Sequence, residues 1–336
     1  MAAIAVVFIH VLFPGKLGSM VNCLAKLAVP FFFAISGYYS FNADTSRLRS
    51  RARSILKLYV LAVILSLGWG FFREMVIYGT SPLPWLMRTM TFHNIACMLL
   101  LQIDFLGGGH LWYLLSLMLC YVVLQGYIRW KGKDYRDLYL FSGIMLTVCL
   151  ITESFTSAAG ITVSNYLYRN TLLLGLPLFT LGLFLGQYQE TLRSTYNLAP
   201  KSLLILFCLG VVVSVLQWMP FGELELPIGT LIQLFALMLL VVNAPNLVRA
   251  DSLWGRMIAH FASLSTTVYI THLIWSEIYF LRLYPGVVSR LGGMEPYLRP
   301  VLVAALSLGT GVIWVMVKKA VRQLRPNRAA VSDTNS

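Results

Sequence analysis

The sequence predicts an all-α polytopic membrane protein, and three observations carry that prediction. Hydrophobic residues make up 58% of the 336, and charged residues only 12%, against about 25% in soluble domains. The apolar residues fall in runs of the length that a bilayer-spanning helix needs, about 20. The basic residues sit in short clusters between those runs, as the positive-inside rule expects. The net charge of +13 is therefore an orientation signal, and nucleic-acid binding is set aside. No polar segment is long enough to hold a soluble core.

Ten spans are read at about 1–14, 22–41, 55–72, 110–128, 138–155, 171–189, 202–219, 228–248, 258–281 and 299–320. The stretch 84–103 carries Arg88, His93 and Asn94, so it is read as a re-entrant or interfacial helix. Basic residues test that choice. With ten spans and both termini cytoplasmic, the clusters around Arg47–Lys57, Arg129–Arg136, Arg193–Lys201, Arg249–Arg256 and Lys318–Arg328 share the inner side. They hold 18 of the 26 basic residues. An eleventh span would put the loop "RWKGKDYR" and the basic tail outside, against the rule. A transmembrane domain over 1–322 and a disordered cytoplasmic tail over 323–336 follow.

The first span is short. Its residues to Phe13 rise about 20 Å, against a hydrocarbon core of about 30 Å. The expectation is a chain start upstream of Met1. Gly182 and Gly186 form a G-x-x-x-G pair, a spacing that lets helices approach closely. The five cysteines form no C-x-x-C pair and read as small buried hydrophobes, so no metal site is expected.

Ionisable side chains inside spans are costly, so each is a candidate for chemistry. Three stand out: His10 near the end of the first span, His110 in "GGGHLWYL" and His272 in "VYITHLIW". Imidazole is the side chain most readily used as a base near neutral pH. His93 and His260 stand in less telling places. Glu153 and Glu277 near span ends read as snorkelling side chains. The run "SRLRSRARSILK" is an orientation signal or an anion site. A phosphorylated donor would need several cations there, which arginine supplies bidentately. No G-x-S-x-G elbow, H-E-x-x-H helix or phosphate loop occurs.

These residues together resemble a family. "AIAVVFIH", "VPFFFAISGYY", a following basic loop, "GHLWYL" and "VYITHLIW" occur in the order found in the membrane-bound acyltransferase-3 family. That family includes bacterial O-acetyltransferases of surface polysaccharides. The resemblance runs to about residue 320. It implies a protein of the bacterial cytoplasmic membrane that moves an acyl group, by expectation acetyl, from cytoplasmic acyl-CoA to a hydroxyl of a cell-surface sugar or polysaccharide. The bilayer, acyl-CoA and that acceptor are the implied partners. His10 matches the family's catalytic histidine. It would act as general base or as nucleophile, and the sequence leaves both open. The family's arginine, eleven positions earlier, would fall before Met1. Arg53, with Arg51 or Lys57, is the expected CoA phosphate site. Ser36 and Tyr38, with His110 and His272, are expected in support, the two hydroxyls as donors to the thioester or its oxyanion. A membrane carrier or exporter of a sugar, polymer or amino acid is the competing reading.

Overall fold

The computed structural model describes residues 2–106, 109–196, 198–243 and 248–324. Among these the chain is helical throughout, with no strand. The helices are α1 (Ala2–His10), α2 (Gly15–Ala25), α3 (Ala28–Tyr38), α4 (Thr45–Phe72), α5 (Pro82–Thr89), α6 (Phe92–Ala96), α7 (Trp112–Lys131) and α8 (Arg136–Ala158). They continue as α9 (Leu176–Gln187), α10 (Gln189–Tyr196), α11 (Pro200–Phe221), α12 (Ile228–Asn243), α13 (Leu253–Ile278), α14 (Tyr284–Leu291) and α15 (Glu295–Leu324). Six helical stretches are long and apolar enough to cross a membrane. A seventh is added if the bent pair Thr171–Gln187 and Gln189–Thr195 counts as one. The molecule is thus an all-α, multi-pass membrane protein.

The count differs from the ten spans expected, for identifiable reasons. α1 has nine residues and α12 sixteen, both short of a full crossing. The predicted spans 258–281 and 299–320 lie in one nearly continuous helical stretch, Leu253–Val321. Within it α13 and α15 run side by side, with Trp275 bonding Thr310 and Tyr279 bonding Glu295. The predicted span 22–41 is retained as one of the six, Gly15–Tyr38, with a turn at Lys26–Leu27 between α2 and α3. The doubtful stretch 84–103 folds as α5, α6 and a five-residue π-turn, so no single helix crosses there. The tail beyond 324 lies outside the described residues.

α4 starts ten residues before the predicted span. Asp44 caps it, its carboxylate accepting the Arg47 N–H at 2.8 Å. The basic run is therefore a helical extension, and Arg49, Arg53 and Lys57 share one exposed face at four-residue spacing. None of these three has an acidic partner among the described residues. Lys131, Lys133, Arg136 and Arg193 lie at the same end of the bundle, tied to α3 and α4 by the contact of Lys133 with the Asn42 carbonyl. Toward the opposite end Arg73 pairs with Glu277, Arg169 with Glu225 and Arg299 with Glu295. At the basic end Lys131, Arg136 and Arg193 also meet acids, whereas Arg49, Arg53 and Lys57 of α4 meet none among the described residues.

Two apolar cores meet along α1. Ala3, Val7 and Val11, spaced by four, pack with Leu264, Val268, Val303 and Ala304 of α13 and α15. Val6, on another face, joins the larger core of α3, α4, α7, α9 and α12. α1 is therefore the seam of the molecule, and His10 ends it.

α3 and α9 pack at backbone contact. A Cβ on Gly37 would stand 1.8 Å from the Phe179 carbonyl oxygen, and one on Gly182 1.8 Å from that of Ala34. Only glycine permits this approach at either position. Phe33, fully buried on α3, packs against Trp112 and Tyr113, its ring centroids 6.0 and 4.9 Å away. Gly37→Ala and Gly182→Ala should each cost about 1–3 kcal/mol or more by overpacking, read as a lower Tm in detergent. Gly126→Ala, with nothing within 4 Å of its Cβ, should leave Tm unchanged or raise it.

Candidate active site

The three histidines picked out by sequence come together. Ring centroids are 5.2 Å apart for His10 and His272, 5.2 Å for His110 and His272, and 6.3 Å for His10 and His110. Each arrives differently. His10 is the last residue of α1, held at that depth by the apolar seam. His110 lies just ahead of α7, its carbonyl accepting from the Tyr269 hydroxyl. His272 is fully buried on α13.

Hydrogen bonding assigns the His272 tautomer. Its Nδ1 lies 2.8 Å from the Tyr269 carbonyl and 3.2 Å from that of Val268. Carbonyls only accept, so Nδ1 carries the hydrogen and Nε2 keeps a lone pair. That Nε2, and both ring nitrogens of His110, are buried without a hydrogen-bond partner among the described residues. Buried polar atoms are normally satisfied, so these free nitrogens leave the cluster able to accept or donate a hydrogen bond to an incoming group. No group of three or more His, Cys, Asp or Glu is arranged to hold a metal ion among the described residues.

Asp104 supports His110. It is buried, accepts the backbone N–H of Leu106 at 2.9 Å and of Leu111 at 3.2 Å, and its Oδ2 lies 3.8 Å from His110 Nδ1. Above the rings, His10, His110, Tyr113, Tyr269, Arg169 and Glu225 line a pocket of about 30 Å³, room for one water- or hydroxyl-sized group. Arg169 and Glu225 form a fork at 2.7 and 2.9 Å. Burial opposes the Arg169 charge, but Glu225, with Tyr166 and Glu153, outweighs it and raises its pKa above the usual arginine value. Below the rings, a cleft of about 150 Å³ runs between α3, α4, α7 and α13, lined by Phe32, Ile55, Leu58, Leu117, Ser265 and Thr266, among others. Tyr113 and Tyr269 line both spaces. Their rings meet edge to face at 5.6 Å and divide one from the other.

Other expected site residues lie elsewhere. Val29 of α3 lines the histidine pocket, whereas Ser36 and Tyr38 follow seven and nine residues on, about 10–14 Å further along the helix. Tyr38 donates to Gln189 at 2.6 Å at the basic end. The close approach of α3 and α9, not the histidine cluster, accounts for Gly37 between them. Arg51 donates to the Tyr39 carbonyl at 3.0 Å and Ser40 Oγ at 2.8 Å, which joins α4 to the end of α3. Arg53 and Lys57 stand exposed on α4, remote in sequence and depth from the rings.

The two glutamates read as snorkelling are structural instead. Glu153 is buried and accepts the backbone N–H groups of Glu225 and Leu226. Glu277 accepts from Trp69 at 2.6 Å and Arg73 at 3.0 Å. Their partners are 72 and 208 residues away at the nearest and farthest, so spacing along the chain carries no sign of them. Asp104, Arg169 and Glu225 also escaped sequence reading. The one available signal was the scarcity of acids, 13 in 336 residues, which makes each acid near a span worth following.

The chain is a multi-pass helical membrane protein with three histidines gathered at a buried pocket. The chain belongs to the acyltransferase-3 family: the family's acyltransferase domain matches residues 1–318. The protein is an acyltransferase. No curated protein matches it, and no solved structure does.

Glu153→Leu should leave the N–H groups of Glu225 and Leu226 without their acceptor. Each such loss costs about 1–3 kcal/mol. A lower Tm in detergent, together with faster hydrogen exchange confined to residues 222–228, is the expected outcome.

Proposed function

We propose that this acyltransferase takes its acyl group, acetyl by preference, from cytoplasmic acyl-CoA and passes it to a hydroxyl of a cell-surface sugar or polysaccharide. The observation that carries the reading is the gathering of three histidines beside a small pocket, with an apolar cleft on the other side of Tyr113 and Tyr269. The cleft is lined on α4 by Ile55 and Leu58, on another face of that helix from Arg53 and Lys57, and the pocket lies beside Arg169 and Glu225. The basic end is assigned to the cytoplasm because the clusters of Lys and Arg fall there, as the positive-inside rule expects.

On this reading the CoA phosphates bind Arg49, Arg53 and Lys57, a row of cations with no acids of their own. Phosphates form strong charge-assisted bonds with such groups. The pantetheine arm lies in the apolar cleft, with Ser36 one turn from Phe32 on the same face of α3. The thioester then reaches the level of Tyr113 and Tyr269. The acceptor hydroxyl enters the upper pocket, which has room for one such group. His10 takes its proton as the oxygen attacks the carbonyl carbon. The His272 lone pair at Nε2 stands in the same cluster and can hold that proton until the thiolate leaves. General-base action places the small upper pocket at the acceptor, where a hydroxyl is to be deprotonated.

The decisive experiment compares polysaccharide acetylation in cells carrying the wild type or His10→Ala. Loss of about 10²–10⁴-fold in rate is expected for a general base; equal acetylation would sink the role of His10. Arg53→Gln should raise KM for acetyl-CoA about tenfold or more with kcat little changed, since a hydrogen bond to a charged group is worth about 1.5–3 kcal/mol. Uptake of labelled sugar into proteoliposomes without ester formation would point to transport instead.

A further inference from the structure

We propose that Arg169 is a catalytic residue of this site: its free guanidinium edge stabilises the oxyanion formed when the acyl carbonyl is attacked. This rests on the acyl-transfer reading. Two of the three Arg169 nitrogens are committed, Nε and Nη2 donating to the two Glu225 oxygens at 2.7 and 2.9 Å. The third, Nη1, makes no hydrogen bond among the described residues. It faces Gly109, where a built Cβ would lie 3.9 Å from Nη1 and 3.5 Å from the Tyr166 hydroxyl. Gly109 adopts φ +64°, a left-handed conformation that glycine tolerates, and the absence of a side chain keeps that edge open beside His110. Arg169, Glu225, His10 and His110 line one pocket.

The arginine is held from behind. Glu225 grips it as a fork, and Glu153 in turn grips the backbone of Glu225 and Leu226. A donor fixed before reaction needs no reorganisation when charge appears. The other matched arginines lack this setting: Arg73 and Arg299 line no histidine pocket.

The step balances. The acceptor oxygen bonds to the thioester carbon and its proton passes to His10. The carbonyl π pair moves onto oxygen, which accepts from Arg169 Nη1–H. Collapse restores the carbonyl, breaks the C–S bond and expels the CoA thiolate, which takes the proton from the histidine cluster. The products are the acyl ester and CoA thiol. Glu225 and Glu153 are positioning residues.

The test uses the full chain in membranes of expressing cells, with radiolabelled acetyl-CoA and incorporation into their own polysaccharide fraction. Arg169→Gln should lower kcat about 10²–10³-fold, the loss seen for a removed oxyanion donor, with KM for acetyl-CoA unchanged. Arg169→Lys keeps a cation but loses the fork, and should bind labelled CoA normally while kcat falls. Added guanidinium should restore part of the rate to Arg169→Ala, which a purely structural tie would not allow. Wild-type kcat in Arg169→Gln or Arg169→Lys overturns the proposal, as does an effect on KM alone. With the wild type active and His10→Ala dead, that result removes the Arg169 role and leaves the acyl-transfer reading standing. A wild type that transfers nothing removes both.

Discussion

The pairing of Arg169 with Glu225 governs the geometry of the active site. It joins two connections 56 residues apart in sequence, the segment after α8 and the turn between α11 and α12. Removing one partner of this half-buried pair leaves the other charge uncompensated, at a cost below the roughly 3–5 kcal/mol of a fully buried pair. Glu153 anchors one side of this pair through backbone N–H groups, and Gly109 leaves room on the other. The pocket over the histidines is therefore bounded by bonded groups rather than by mobile loops. Its small volume follows from that closure.

α1 transmits the same order to His10. It is only nine residues long, and its own hydrogen bonds could not hold it in place. Packing does so instead, with one face on α13 and α15 and the other on the larger core. His10, at the end of α1, thus meets His110, just ahead of α7, and His272 of α13 at a fixed depth. The backbone-contact pair of α3 and α9 stiffens the neighbouring side. Rigidity of this kind suits a reaction in which three groups must meet once, in register.

Much of this was legible in the chain. The paucity of charge and the length of the apolar runs determined an all-α membrane protein. The order of "VPFFFAISGYY", "GHLWYL" and "VYITHLIW" placed the family. His10, His110 and His272 were visible because ionisable groups are expensive inside apolar segments. Ser36 and Tyr38 lie further along α3 from the histidine pocket, toward the basic end: adjacency to a motif does not say how far along a helix a residue lies from the pocket. Glu153 was misread because a carboxylate near a span end looks alike whether it reaches water or a distant backbone N–H.

By itself the sequence determined what is local or additive: helix type, membrane residence, the basic run ahead of the third span, and the costly histidines. Tertiary structure alone decided the rest. It chose which nine-residue helix is buried as a seam, which glycines meet backbone to backbone, and which of the few acids meets which arginine. Those outcomes depend on through-space contacts between segments dozens to hundreds of residues apart, and a helix's periodicity records which face is apolar, not which partner covers it.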